Sequence, residues 1–181
     1  DVDALTFLRD YFWFEKGMYK FKNNMHLRGE FFYTFGDAQN FSSEILANPL
    51  FLAATPEYYC SSGAFGNVNA VKKGCFDKYE AALDRNFNRF VAKRAQNHEY
   101  GWMSFGDWFG ERKYNWGNNE YDVTALCVTQ FARSGNYEYL KRSDEMTHHY
   151  TSIDFVDYAS ETAQKELIFC HSIGHTGSFI N

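Results

Sequence analysis

The fold is decided by the stretch YDVTALCVTQFARSGNYEYLKRSDEMTHHYTSID, residues 121–154. Apolar residues recur in it every three to four positions on both sides of Gly135, which is the spacing of one face of a helix. A glycine directly after a periodic segment is typical of a helix end, because glycine readily adopts the left-handed backbone of the cap. We therefore predict one helix before Gly135 and another from Tyr137 to about Tyr158. Two antiparallel helices with so short a connection form a helical hairpin.

The buried faces of this hairpin follow from the same spacing. The predicted core positions are Tyr121, Ala125, Val128, Phe131 and Ala132 in the first helix, and Leu140, Met146, Tyr150, Ile153 and Val156 in the second. Asn118 or Asn119 is predicted to cap the first helix, with Asp122 in its first turn, where a carboxylate suits the helix dipole.

A long helix precedes the hairpin. Between Val68 and Gln96, apolar residues fall on one face at helical spacing and charged residues cover the rest of the surface. The predicted apolar face comprises Cys75, Tyr79, Ala82, Leu83, Phe87, Phe90, Val91 and Ala95. Proline is scarce, with 2 residues in the chain, which fits a largely helical body.

Residues 1–40 differ in character from the rest of the chain. The run from Ala4 to Phe14 is almost continuously apolar and does not distinguish a helix from a strand. His26–Phe35 is rich in aromatic residues and predicts a strand. We therefore predict a mainly α protein with a short β segment near the N-terminus, divided into residues 1–40 and a helical region, residues 41–181. Hairpins of long helices stacked in a ring would form an (α/α) toroid, with the end loops lining a central pocket.

A polar and aromatic loop separates the long helix from the hairpin. The segment YGWMSFGDWFGERKYNWGNNEYD, residues 100–122, holds three of the chain's 4 tryptophans and has no periodicity of its own. Loops of this length are uncommon within a compact domain and are usually functional. Exposed Trp and Tyr rings beside carboxylates and carboxamides suit a sugar, because the ring packs on the apolar face of the pyranose while the polar groups bond its hydroxyls. The alternative is a buried aromatic plug that pins two helices together.

Charge and cysteine content exclude several classes of protein. A net charge of −5 argues against nucleic-acid binding, which needs a basic surface. No apolar run approaches the length of a transmembrane helix. The 4 cysteines, Cys60, Cys75, Cys127 and Cys170, have no CxxC spacing, so a zinc ribbon or a thioredoxin motif is excluded. Two disulfides are possible, but buried thiols acting as small hydrophobes are the preferred interpretation.

Three strings carry a resemblance to a known family. GDWFGERKYNWGNNEYDVTALCVTQFARSGNYEYL, followed by HHYTSID and then HSIGHTGS, resembles the catalytic helical domain of the exo-rhamnogalacturonan lyase-like family. The upstream strings FLRDYFW and HLRGEFFYTF are similar to the end of that family's β-sandwich module and its junction with the toroid. One departure is Ser178, where the family would have glycine. Another is length, because the chain holds about half a toroid.

The resemblance implies a fragment of a secreted or periplasmic enzyme that degrades pectin-type polysaccharide. The implied reaction is cleavage next to a uronic acid by β-elimination, without water. It also implies that residues 1–40 are the end of a β module and that residues 41–181 are part of an (α/α) toroid.

A uronate lyase needs a base, an acid and a group that neutralises the substrate carboxylate as the enolate forms. The candidates for proton transfer are Tyr114, His171 and His175. The candidates for substrate binding are Trp108, Arg112, Trp116, Asn118, Asn119, Tyr121 and His149. Arg112 with the two asparagines would neutralise the carboxylate, and a bound cation such as calcium could share that role. The site requires residues 101–118 and 170–178 to meet, with Trp108 and Trp116 facing a cleft.

Most of these residues also have a structural interpretation. The alternatives are a helix cap for Asn118 and Asn119, core packing for Tyr121, and a surface ion pair with Asp107 or Glu111 for Arg112. His149 lies on the same helical side as Met146 and Ile153, which favours a core histidine over a catalyst. Asp154 or Glu145 would then hold its ring.

The two late histidines are four residues apart, a spacing that binds zinc when it lies on a helix. The glycine and serine residues around His171 and His175 disfavour a helix there, so substrate contact is preferred and no metal site is predicted.

Two other functions are compatible with the sequence. A toroid glycoside hydrolase would use paired carboxylates, for which Asp107, Glu111, Glu120 and Asp122 are candidates. A non-catalytic carbohydrate-binding helical protein would bind oligosaccharide without turnover. Only a lyase leaves an unsaturated product that absorbs ultraviolet light.

Overall fold

The structure is a computed structural model that describes residues 50–96 and 122–155 continuously. Elsewhere it describes the backbone of four short strands and the single positions Phe31, Tyr33, Phe35, Gly36 and Glu44. The continuous parts are mainly helical, as the sequence predicts.

The described helices come in two groups along the chain. The helices are α1 (Pro56–Ser62), α2 (Asp77–Gln96), α3 (Val123–Ser134) and α4 (Tyr137–His149), and α4 continues as a π-helix (Tyr150–Asp154). The strands are β1 (Phe14–Glu15), β2 (Met18–Tyr19), β3 (Trp108–Glu111) and β4 (Asn115–Gly117). β1 pairs with β2 and β3 pairs with β4, both antiparallel.

The predicted hairpin is confirmed as α3 and α4. Gly135 has a φ of 71°, and its backbone N–H donates to the carbonyl of Phe131 at 2.7 Å, which closes α3. Asn136 then caps α4, its side chain accepting from the N–H of Glu138. The two helices pack along each other. Ser143 Oγ on α4 also donates a hydrogen bond to the carbonyl of Thr124 on α3 at 3.0 Å.

The core of the described part lies where α1, α2, α3 and α4 meet. Its buried members are Cys127, Phe131, Tyr139 and Met146, with Tyr59, Phe87, Phe90, Val123 and Leu140 packed against them. The ring of Phe87 on α2 stacks on Tyr139 of α4 with centroids 3.9 Å apart. Aromatic stacking of this kind adds to the burial of apolar area, so it fixes α2 against the hairpin.

The long helix is shorter than predicted. α2 begins at Asp77 and not at Val68, because Gly74 and Phe76 have φ values of 86° and 57°, which no helix can contain. The first two residues of the predicted apolar face do not join the core, because Cys75 is exposed and Tyr79 is 57% exposed. Phe87 and Phe90 keep their predicted contact with the core.

The cap of α3 is another correction. Neither Asn118 nor Asn119 caps it, because the helix begins only at Val123. The cap is Asp122, whose Oδ1 accepts from the N–H of Ala125 at 3.3 Å. Asp122 has a φ of 48°, a left-handed conformation that Asp and Asn tolerate better than other side chains.

The buried face of α3 is also rotated from the predicted one. Ala125 is exposed, whereas Cys127 and Gln130 are buried together with Phe131 and Ala132. A polar residue is tolerated at position 130, because Gln130 Oε1 accepts from the guanidinium of Arg133 at 2.7 Å.

The end of α4 departs from the predicted helix, which was expected to continue to Tyr158. After His149 the backbone widens into a π-helix and then turns extended at Phe155. The hydroxyl of Thr151 donates to the carbonyl of Thr147 at 2.9 Å, a bond one turn back that tends to bend helices. The predicted core residues Met146 and Ile153 are fully buried.

The aromatic segment near the N-terminus does not form the predicted strand at its described positions. Phe31, Tyr33 and Phe35 are exposed and belong to no strand. Most of residues 1–49, and all of 156–181, lie outside the described residues. Within the part of the chain that the structure covers, no helix has the length and apolar character needed to cross a membrane.

Candidate functional site

The tryptophan-rich segment contains more regular structure than its lack of periodicity predicts. β3 and β4 pair with Trp108 opposite Gly117 and Phe109 opposite Trp116. The register shifts between Phe109 and Glu111, which is a β-bulge or a similar irregularity. Trp108 and Trp116 therefore stand on neighbouring strands, whose backbones run about 5 Å apart in an antiparallel pair. Bulges of this kind are frequent beside functional sites, where they redirect side chains.

Most of the predicted site lies outside the described residues. This applies to Tyr114, Arg112, Asn118, Asn119, Tyr121, His171 and His175. Trp108 and Trp116 are described as backbone alone. The meeting of residues 101–118 with residues 170–178, and a cleft lined by the two tryptophans, therefore stay predictions.

His149 is a predicted site residue whose side chain the structure describes. Its side chain is 0% exposed, and its Nε2 lies 3.4 Å from Oδ2 of Asp154, which is 1% exposed. In an α-helix, residues five apart point about 140° away from each other, so this contact depends on the wider turn of the π-helix. The ring is sealed from solvent within the described part of the chain. His149 is accordingly a core histidine beside a carboxylate, which favours its structural interpretation over substrate binding.

The other carboxylate proposed for that histidine is engaged elsewhere. Glu145 lies 3.3 Å from the guanidinium of Arg94 on α2 and 2.7 Å from that of Arg142 on α4. Arg94 is 5% exposed, which periodicity did not predict for a charged residue. A buried arginine needs a charged partner, and Glu145 supplies it across the interface between the two helices.

The π-helix sets the direction in which the chain leaves the hairpin. Phe155 is extended, with φ −79° and ψ 133°, and its N–H donates to the carbonyl of Tyr150 at 3.0 Å. Nothing in the sequence marks this widened turn, because its residues continue the helical spacing of α4. π-helical turns often occur at functional sites, and this one precedes the segment that carries His171 and His175.

The three described cysteines are free thiols, and one of them, Cys127, fits the preferred interpretation of a buried thiol. Cys127 is buried, Cys60 is half-buried and Cys75 is exposed. Burial raises the pKa of the Cys127 thiol from 9.0 to about 11, because the thiolate would lose its hydration in the core. Cys127 therefore behaves as a small apolar side chain. Within residues 50–96 and 122–155, no cluster of metal-ligating side chains is present.

The cap that Asp122 forms affects two predictions, the capping role of Asn118 and Asn119 and the catalytic role of Asp122 in a hydrolase. Because Asp122 caps α3, Asn118 and Asn119 have no capping task on that helix, and the structural interpretation that competed with substrate binding is removed. The same bond commits the carboxylate of Asp122 to a backbone N–H, so it is poorly placed to serve as one of the paired carboxylates of a hydrolase.

Comparison of the chain with models of protein families, with curated proteins and with solved structures finds no match.

Proposed function

We propose that this protein is a secreted or periplasmic polysaccharide lyase that cleaves a rhamnogalacturonan-like uronide by β-elimination. In this proposal the helical hairpins belong to an (α/α) toroid, and residues 1–40 form the junction with a β module. The resemblance of the NWGNNEYD, HHYTSID and HSIGHTGS strings to the exo-rhamnogalacturonan lyase-like family supports this choice of reaction.

The observation that carries the proposal is the pairing of β3 with β4. It brings the backbones of Trp108 and Trp116 onto adjacent strands. The short segment that forms this ribbon thus combines two tryptophans with Arg112, Lys113 and Tyr114 between the strands in sequence, and a cluster of aromatic, cationic and phenolic residue types supports a sugar site.

Each step of the elimination has a candidate in this chain. A base, His171 or His175, removes the proton from the carbon next to the substrate carboxylate, while Arg112 neutralises the charge that develops there. The bond from the neighbouring carbon to the glycosidic oxygen then breaks, a carbon–carbon double bond forms, and Tyr114 returns a proton to the leaving oxygen. Asn118 and Asn119 hold the carboxylate.

A glycoside hydrolase is the second candidate, and a non-catalytic carbohydrate-binding protein is the third. The hydrolase is favoured less, because the cap of α3 occupies Asp122 and leaves Asp107, Glu111 and Glu120 from the predicted set of carboxylates.

The test is turnover of a rhamnogalacturonan-type polymer, followed by ultraviolet absorbance and by reducing ends in the same sample. A lyase raises both signals together. The His171→Ala and His175→Ala variants are compared with His148→Ala, which removes a half-buried histidine of α4 outside the proposed machinery. We expect loss of the proposed base to lower kcat by about 100- to 10,000-fold, and the control to retain full activity.

Three outcomes would overturn the proposal. Reducing ends without ultraviolet absorbance would identify a hydrolase. Oligosaccharide binding without either signal would identify a carbohydrate-binding protein. Equal activity of both histidine variants and the control would remove His171 and His175 from the reaction.

A further inference from the structure

One face of α2 carries an unusual charge pattern. Lys78, Arg85, Arg89 and Lys93, named here the basic stripe, are all exposed. They are spaced by seven, four and four residues, so they fall along one side of the helix over about 22 Å. The core-facing Phe87 stands two residues from both Arg85 and Arg89, which is about 200° around the axis. The basic stripe therefore points away from the hairpin.

The carboxylates of α2 do not neutralise the basic stripe. Asp77 accepts a backbone N–H just before the helix, and Glu80 pairs with Arg133 on α3. Asp84 accepts from the hydroxyl of Tyr139 at 3.0 Å. All three acidic groups are thus engaged at the cap or toward the hairpin. Within the described residues no ion pair involves any member of the basic stripe, and Arg85 bonds only to a carbonyl of its own helix.

The arrangement opposes the stability of α2. Like charges four residues apart, as in Arg85 with Arg89 and Arg89 with Lys93, disfavour a helix. Only Lys93, in the last turn, has a compensating role, since a cation there suits the helix dipole. The remaining cations have no structural task that the packing of α2 explains.

We infer that the basic stripe of α2 is a docking surface for the uronate backbone of an acidic polysaccharide. The inference rests on the proposed function, and it adds a contact outside the catalytic residues. Charge complementarity supports this occupant, because the exposed cations of the basic stripe form a local positive surface on a chain whose net charge is −5. A row of cations along a rigid helix matches an extended polymer with carboxylates at regular intervals. Nucleic acid is the other polyanion that a row of cations attracts, so DNA is included in the test as the competing occupant.

The experiment compares two charge-matched double variants of the full chain. Arg85→Gln with Arg89→Gln removes two cations of the basic stripe and keeps good helix formers in their place. Lys72→Gln with Lys73→Gln removes two exposed cations that precede α2. Binding of polygalacturonate, of a neutral galactan and of duplex DNA is measured at several salt concentrations, and circular dichroism confirms that each variant is folded.

We expect the stripe variant to bind polygalacturonate about tenfold more weakly, with a smaller dependence on salt. The control variant should stay within about twofold of the unmodified protein, and galactan should not bind through the stripe. Equal losses in the two variants, no loss in either, or equally tight and stripe-dependent binding of DNA would each overturn the inference.

The outcome is separable from that of the proposed function. Turnover of a short oligosaccharide by the unmodified protein tests the lyase without the stripe. If the oligosaccharide is turned over but binding of polygalacturonate does not depend on the basic stripe, the docking surface alone is overturned. Stripe-dependent binding of polygalacturonate without turnover supports the docking surface and overturns the lyase.

Discussion

At the scale of single residues, two adjacent histidines of α4 have contrasting environments. His149 and Asp154 are sealed in the core with Nε2 and Oδ2 3.4 Å apart. His148 and Asp144 form a looser pair at 3.7 Å, with side chains 37% and 50% exposed. Exposed pairs contribute little to stability, whereas removing one partner of a buried pair leaves a polar group stranded in the core.

This contrast predicts unequal effects of two aspartate substitutions. Asp154→Ala should lower the free energy of unfolding by about 3 kcal/mol. The matched Asp144→Ala should change it by less than about 0.5 kcal/mol. Urea unfolding followed by circular dichroism measures both, and similar losses in the two variants would show that His149 does not depend on Asp154.

The cysteines give a second prediction at this scale. At pH 8, iodoacetamide should modify Cys75 rapidly and Cys127 only after unfolding. Cys127 is 5% exposed and burial raises the pKa of its thiol to about 11, so little of the reactive thiolate forms. Peptide mass spectrometry over time distinguishes the two sites, with Cys75→Ser as the control that should remove the fast phase. Rapid labelling of Cys127 in the folded protein would contradict its place in the core.

At the scale of elements, caps determine where the helices begin and end. α3 begins at Asp122 and closes at Gly135, while α4 begins at Asn136. Each cap acts through a local bond to a nearby backbone group, so its effect on stability can be isolated by a single substitution.

Substitutions at the start of α3 test the corrected cap. Asp122→Ala should cost about 1 kcal/mol of stability, because the N–H of Ala125 loses its acceptor. Asp122→Asn should cost less, since Asn also caps helices and tolerates a positive φ. Asn119→Ala, which would remove the cap expected from the sequence, should leave thermal unfolding unchanged. A loss for Asn119→Ala as large as that for Asp122→Ala would contradict the observed start of α3.

At the scale of the whole molecule, the core cluster joins α2 to the hairpin through ionisable groups. Tyr139 is 4% exposed, and its hydroxyl donates to Asp84 across the interface. Burial, reinforced by this hydrogen bond and by the negative charge of Asp84, raises the pKa of Tyr139 well above 10.0. The pKa of Cys127 in the same cluster is also raised.

Stability should therefore decline in alkaline solution. Well below pH 9, the ordinary pKa of the thiol, both groups are protonated in the folded and unfolded states, so their contribution is fully present. Above that pH the unfolded chain ionises first, and each group can lower the free energy of unfolding by up to about 1.4 kcal/mol per pH unit. Denaturant unfolding between pH 8 and 11 measures this decline. Tyr139→Phe should flatten it, whereas Tyr58→Phe, a change at an exposed ring, should not. An equal slope in the two variants would contradict the role of Tyr139.

Local sequence determined the helical hairpin of this protein. The helical spacing of apolar residues on both sides of Gly135 was sufficient to predict the hairpin, its turn and the burial of Met146 and Ile153. A helix face and a glycine cap are both encoded in neighbouring residues. The pairing of β3 with β4 escaped prediction, since the three residues between them contain no glycine or asparagine to signal a turn.

Tertiary structure decided the rotation of the buried face of α3 and which polar groups enter the core. Arg94 on α2 is buried because Glu145 on α4 pairs with it. His149 contacts Asp154 because α4 ends in a π-helical turn. The candidate site follows the same division. Its residue types could be proposed from the sequence, whereas the cap at Asp122 and the burial of His149 are visible only in the folded structure. The physical reason is that a side chain such as Arg94 finds its partner on an element distant in the sequence, and only the folded structure brings the two into contact.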